Sequence, residues 1–75
     1  MKLFRVYIGF GMAIVVAKDK LGVLCTMFND PELKWTLRDI NGNPIPSKEV
    51  LKWIDEIPGY TVNGDKEDIV AWYRE

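Results

Sequence analysis

The sequence predicts an α+β domain: an antiparallel sheet of three to five strands, opened by an N-terminal meander, with two short helices packed on one face. Three observations predict it. Period-two alternation and β-branched residues dominate Lys2 to Phe28. Apolar residues at helical spacing follow only after Ser47. Turn formers divide the chain into short segments at Gly9–Gly11, Asn29–Pro31, Asn41–Gly42, Pro58–Gly59 and Asn63–Gly64. Strands first and helices after is the order of segregated α+β layers. At 75 residues, 48% hydrophobic and 28% charged, the chain reads as one domain over 1–75, with the composition of a globular protein and room for a single core.

In the first strand Phe4, Val6, Ile8 and Phe10 share one face, and Leu3, Arg5, Tyr7 and Gly9 the other. Gly9-Phe10-Gly11 permits either a tight turn or a bulge that bends one long strand. Met12 to Ala17 is apolar on both faces. Its run Ile14-Val15-Val16 disfavours helix, because the branched side chains lose χ1 freedom there. Such a strand belongs in the centre of a sheet or beneath a helix, and the small Ala13 and Ala17 would let a helix approach closely. Lys18-Asp19-Lys20 reads as a hairpin tip and Leu21 to Phe28 as the third strand. Pro31 breaks the run. Leu33 to Ile40 alternates, with Leu33, Trp35 and Leu37 facing in, which predicts a strand with one wet face. Asn41-Gly42 is the strongest hairpin signal, and Pro44 and Pro46 restrict any return strand to an edge.

Ser47 predicts an N-cap for a helix carrying Val50, Leu51, Trp53, Ile54 and Ile57 as its apolar stripe, stopped at Pro58-Gly59. Tyr60 to Val62 is extended, either an edge strand or a linker. Asp65 predicts the cap of a second helix, with Glu67 and Asp68 in its first turn and Ile69, Val70, Trp72 and Tyr73 on its apolar side.

The uncharged run Val6 to Ala17 behind Lys2 and Arg5 has some likeness to a secretory signal, but its glycines, Tyr7 and strand-like alternation favour a structural segment. At twelve residues the run is also short of the ~20 needed to span a bilayer. There is no histidine and one cysteine, Cys25. This excludes an intrachain disulfide, a thiol–imidazole dyad and a Cys-based zinc site, and one free thiol suits the cytoplasm. Cys25, amid Val23, Leu24 and Met27, reads as an inert core thiol. Asp39, Asn41 and Asn43 have the spacing of the first ligands of a calcium loop, but Pro44 and Val50 stand where that loop needs glycine and glutamate. Asp65, Glu67 and Asp68 fit helix capping better than a divalent ion or an acid–base pair. Gly9-Phe10-Gly11 lacks the third glycine and the lysine of a phosphate loop. No catalytic, metal or cofactor-binding residue is expected, and an enzyme is not.

What remains is a surplus of aromatics and an uneven charge. Tyr7, Tyr60, Trp72 and Tyr73 exceed what so small a core accommodates. Met1 to Phe28 is net +3, whereas Asn29 to Glu75, with six basic and ten acidic residues, is net −4. Partner-binding residues are therefore expected among Tyr7, Tyr60, Asp65, Glu67, Asp68, Trp72 and Tyr73. The expected function is non-enzymatic binding of another protein. By analogy with other small, motif-poor domains, one version is a phage or mobile-element inhibitor that occupies a surface of a larger host complex. The alternatives are a nucleic-acid module built on the exposed sheet around Tyr7 and Arg5 with Lys2, Lys18 and Lys20, opposed by the net charge of −1, and a homodimer or larger homo-oligomer joined through an edge strand. No membrane partner is expected.

Overall fold

The computed structural model describes residues 1–9 and 11–74. Strand β1 (Lys2–Ile8) and strand β2 (Gly11–Ala17) form an antiparallel hairpin with Ile8 opposite Gly11. Gly9, at φ +50°, makes the turn, so the glycines end one strand and begin the next rather than bending a single long one. Phe10, expected on the inner face of the first strand, lies outside the described residues. Helix α1 (Lys20–Asn29), a 3-10 helix (Leu33–Leu37) and helix α2 (Ser47–Lys52) follow, then strand β3 (Ile54–Thr61) and strand β4 (Asp68–Arg74). The sheet is antiparallel throughout, in the order β3-β1-β2-β4, which makes this an α+β fold.

The helices cover one face. Phe4, Val6 and Ile8 from β1, Ala13, Val15 and Ala17 from β2 and Ile54 from β3 pack with Val23, Leu24 and Met27 of α1, Leu33 and Leu37, and Val50 of α2. Burying one such aliphatic side chain contributes ~1.5–3 kcal/mol. As the small residues suggest, α1 rides close over β2: a Cβ placed on Gly22 would come within 3.3 Å of the Ala17 Cβ.

Four element assignments made from the sequence are corrected. The meander does not form, because its third strand, Leu21 to Phe28, is helix α1. Asp19, read as a hairpin tip, is the N-cap, and its Oδ1 accepts the Gly22 N–H at 2.8 Å. Val23, Leu24 and Met27 then form the buried stripe. Leu33 to Ile40 is not a strand. Asp30 Oδ1 accepts the N–H groups of Glu32 and Leu33 at 2.9 and 3.0 Å and starts the 3-10 helix, which buries Leu33 and Leu37 and turns Trp35 outward, 63% exposed. The first expected helix stops at Lys52; Ser47 lies within it behind Pro46, with no side-chain cap, and Ile54 onward is β3. The second expected helix is β4, and Asp65 caps nothing helical.

The connection from β3 to β4 also departs from the local wiring expected. It leaves β3 at one edge, passes the ends of β1 and β2, and enters β4 at the other edge. Two ties hold it. The Met1 amino group donates to the Val62 carbonyl at 2.9 Å while the Val62 N–H donates to the Met1 carbonyl at 2.8 Å. At the far side the Lys18 N–H donates to Glu67 Oε2 at 3.1 Å. The Glu67 carboxylate lies over Gly22, where a Cβ would overlap it. Asn41-Gly42 turns the chain as expected. Asp39 Oδ1 accepts from the Asn41 and Asn43 N–H groups, each at 2.9 Å, and Arg38 pairs with Pro44.

Candidate functional site

Among the described residues, the second face of the sheet carries no helix. Directly opposed residues of antiparallel strands share a face, so the pairing defines its rows. Asp55, Arg5, Ile14 and Ala71 form a row across all four strands. Tyr7, Met12 and Tyr73 form the row on the hairpin side, and Leu3, Val16 and Asp68 the row on the crossover side. A sheet face turned to water ordinarily alternates to polar residues. Here Leu3, Met12, Ile14 and Val16 stand on it beside two tyrosines. Val16 is buried among its neighbours without joining the helix-side core, while Tyr7 and Tyr73 are 52% and 57% exposed.

Arg5 occupies the middle row on a central strand. Its guanidinium carbon lies 5.6 Å from the centroid of the Tyr7 ring, within range of a cation–π contact. Its Nε is buried and has no hydrogen-bond acceptor. Asp55 is its direct neighbour on β3, yet the ion pairs among the described residues are Lys2 with Glu56 at 3.3 Å and Lys52 with Glu49 at 3.5 Å, both exposed.

Of the residues expected to bind a partner, Tyr7 and Tyr73 therefore meet on one face through Met12, with Asp68 at its edge. Asp68 Oδ1 also accepts the Ile69 N–H at 2.8 Å. Trp72 is on the opposite face, against Ala13 and the core. Tyr60 is exposed on β3, in the stretch where its register with β1 is irregular. Asp65 and Glu67 belong to the crossover. The Glu67 carboxylate is occupied within the fold by the Lys18 N–H, whereas Asp65 lines an open groove of about 540 Å³ with Lys18, Cys25, Asp30 and Lys66. Cys25, expected in the core, is exposed there, because on a helix it falls between the buried Leu24 and Met27 and faces away from the sheet.

Arg5 had a signal in the sequence, the alternation of Leu3, Arg5 and Tyr7. Met12, Ile14 and Val16 read only as a doubly buried strand. Their place on an open face needed knowledge that every helix packs on the other side. A second exposed group is Trp35, with Arg38 and Lys34 at 5.2 and 5.7 Å from its ring. Among the described residues no three His, Cys, Asp or Glu side chains are grouped to hold a metal ion, and no helix is long and apolar enough to cross a membrane. Comparison with known protein families, with curated proteins and with solved structures finds no match.

Proposed function

We propose that this chain is a non-enzymatic binding domain that engages another protein through the open face of its sheet. The observation that carries the reading is the apolar set Leu3, Tyr7, Met12, Ile14, Val16 and Tyr73 on the face opposite the helices, with both tyrosines exposed, Leu3, Met12 and Ile14 half-buried and Val16 buried among them; among the described residues no element covers it. Contiguous exposed apolar patches of a few hundred Å² mark interaction sites. The mixture of tyrosine, methionine and arginine is that of interface cores. A small domain binding in this way acts by occupancy, so blocking a surface of a larger complex is the mode of action this reading implies. The exposed thiol of Cys25 supports a reducing compartment such as the cytoplasm.

A single-strand nucleic-acid platform would use the same Tyr7 and Arg5, but Asp55 and Asp68 flank the face and, among the described residues, Arg5 is the one cation in its rows. The test compares capture of proteins from source cells by the wild-type chain, by Met12→Glu and by a helix-side control, Lys52→Glu. A stoichiometric partner held by wild type and the control, and lost by at least about tenfold in Met12→Glu, is the expected result. Retention of that partner by Met12→Glu, or recovery of nucleic acid alone, would overturn it. Unfolding curves of each variant show that the loss does not come from misfolding.

A further inference from the structure

We propose that the partner lays an amphipathic helix across the open face and places one carboxylate from its apolar stripe on the Arg5 guanidinium. This rests on the reading above and adds the chemistry of the occupant. Whatever covers the face takes Arg5 out of water. Its Nε already lacks an acceptor, and no acidic group of the described chain pairs with it. A desolvated cation without an anion opposes burial strongly, so a purely apolar partner is disfavoured and one that supplies an oxygen anion is selected. The Tyr7 ring beside the guanidinium restricts it before the partner arrives. A guanidinium donates in a planar fork, which a carboxylate accepts with two oxygens.

Three other occupants fit less well. Strand spacing of ~4.8 Å and a two-residue repeat of ~6.8 Å give the face roughly 400 Å². A second copy, like a helix, would therefore bury roughly 800 Å² in total, the size of a weak interface, so charge and not area separates the two. A two-fold axis through the middle of the face would also bring the two Arg5 side chains together, because Arg5 lies in the middle row of a central strand. A polyanion would meet Asp55 at one edge and Asp68 at the other. An extended peptide adds to a sheet edge, not to its face. A helix of ~14 residues is ~21 Å long and ~10 Å wide, so it covers the three rows and the central strands.

The test pans a library of 18-residue helical peptides, with one face randomised, against the full chain and against Arg5→Glu and Met12→Glu. Peptides selected by wild type should carry Asp or Glu at one fixed stripe position, with apolar residues three and four positions away. Arg5→Glu should select Lys or Arg at that position, and each set should bind the other chain at least about tenfold more weakly. Selected peptides that lack a fixed acid, but are lost on Met12→Glu, would overturn the carboxylate inference and leave the open face as the binding site. Peptides that survive Met12→Glu would contradict both. Absence of enrichment on a wild-type chain that captures its protein partner through the face would overturn the helix alone.

Discussion

Gly22→Ala tests a long-range contact of the fold, the docking of the β3–β4 crossover on the start of α1. Alanine favours helix over glycine by up to ~1 kcal/mol, so on propensity alone the change stabilises the protein. A Cβ at this position would overlap the Glu67 carboxylate, which accepts the Lys18 N–H at 3.1 Å. That carboxylate ends a flexible side chain and can swing away, so the cost is the lost hydrogen bond. At an exposed site this is worth ~1 kcal/mol. The two effects nearly cancel in the wild-type background. In a Glu67→Ala background the second cost is already taken, and Gly22→Ala should be more favourable than in wild type by ~1 kcal/mol, the residual 3.3 Å approach to the Ala17 Cβ being common to both backgrounds. The coupling of ~1 kcal/mol corresponds to ~4–8 °C in Tm for a domain of this size. Thermal and urea unfolding of the four chains, followed by circular dichroism, measures it. Equal stabilisation by Gly22→Ala in both backgrounds would show that Glu67 does not sit on Gly22 and would refute the route given to the crossover.

Other predictions concern the core, the surface and the price of the open face. Leu37→Ala, at a fully buried site on a segment that reads as an ordinary strand, should cost ~2–5 kcal/mol in urea unfolding; a cost near zero would mean that the 3-10 helix does not enter the core. Asp39→Ala removes the acceptor of two N–H groups and should raise amide exchange at Asn41 and Asn43 while lowering stability by ~0.5–2 kcal/mol, and unchanged exchange would contradict the loop geometry. Cys25 should react stoichiometrically with a thiol reagent in the native protein; reaction only in denaturant would return it to the interior. Arg5→Met should leave stability within ~0.5 kcal/mol or raise it, because the guanidinium has no ion-pair partner among the described residues, yet it should weaken partner binding. A large loss of stability would assign Arg5 a structural role.

The layer arrangement was legible because the hairpin states its period twice, in Phe4-Val6-Ile8 and in the β-branched run of β2. Two of the misread elements share one cause. Leu21 to Phe28 and Leu33 to Ile40 contain apolar residues at spacings compatible with either period, and side chains of Asp19 and Asp30 decide for helix by accepting nearby N–H groups. In Asp68 to Arg74 the acidic start imitates a helix cap, but Ile69, Val70, Trp72 and Tyr73 favour strand, and the open edge of β2 supplies partners that only the assembled sheet provides. The same non-local event brings Tyr73 beside Met12 and Tyr7. The candidate site was therefore half visible: its β1 residues follow from alternation, and its β4 residues depend on a strand carried across the ends of β1 and β2.

The central claim is that the open face, and not the helical side, receives the partner. The chain has three methionines, one of which, Met12, lies on that face, while Met27 is fully buried in the helix-side core and Met1 is tied to Val62 at the crossover end. Methyl NMR of the chain labelled at methionine, with the captured partner or a selected helix added, separates the sites directly. The account predicts that the Met12 signal shifts or broadens in step with saturation while the Met27 signal holds its position. A complex that forms with the Met12 signal unmoved would contradict it.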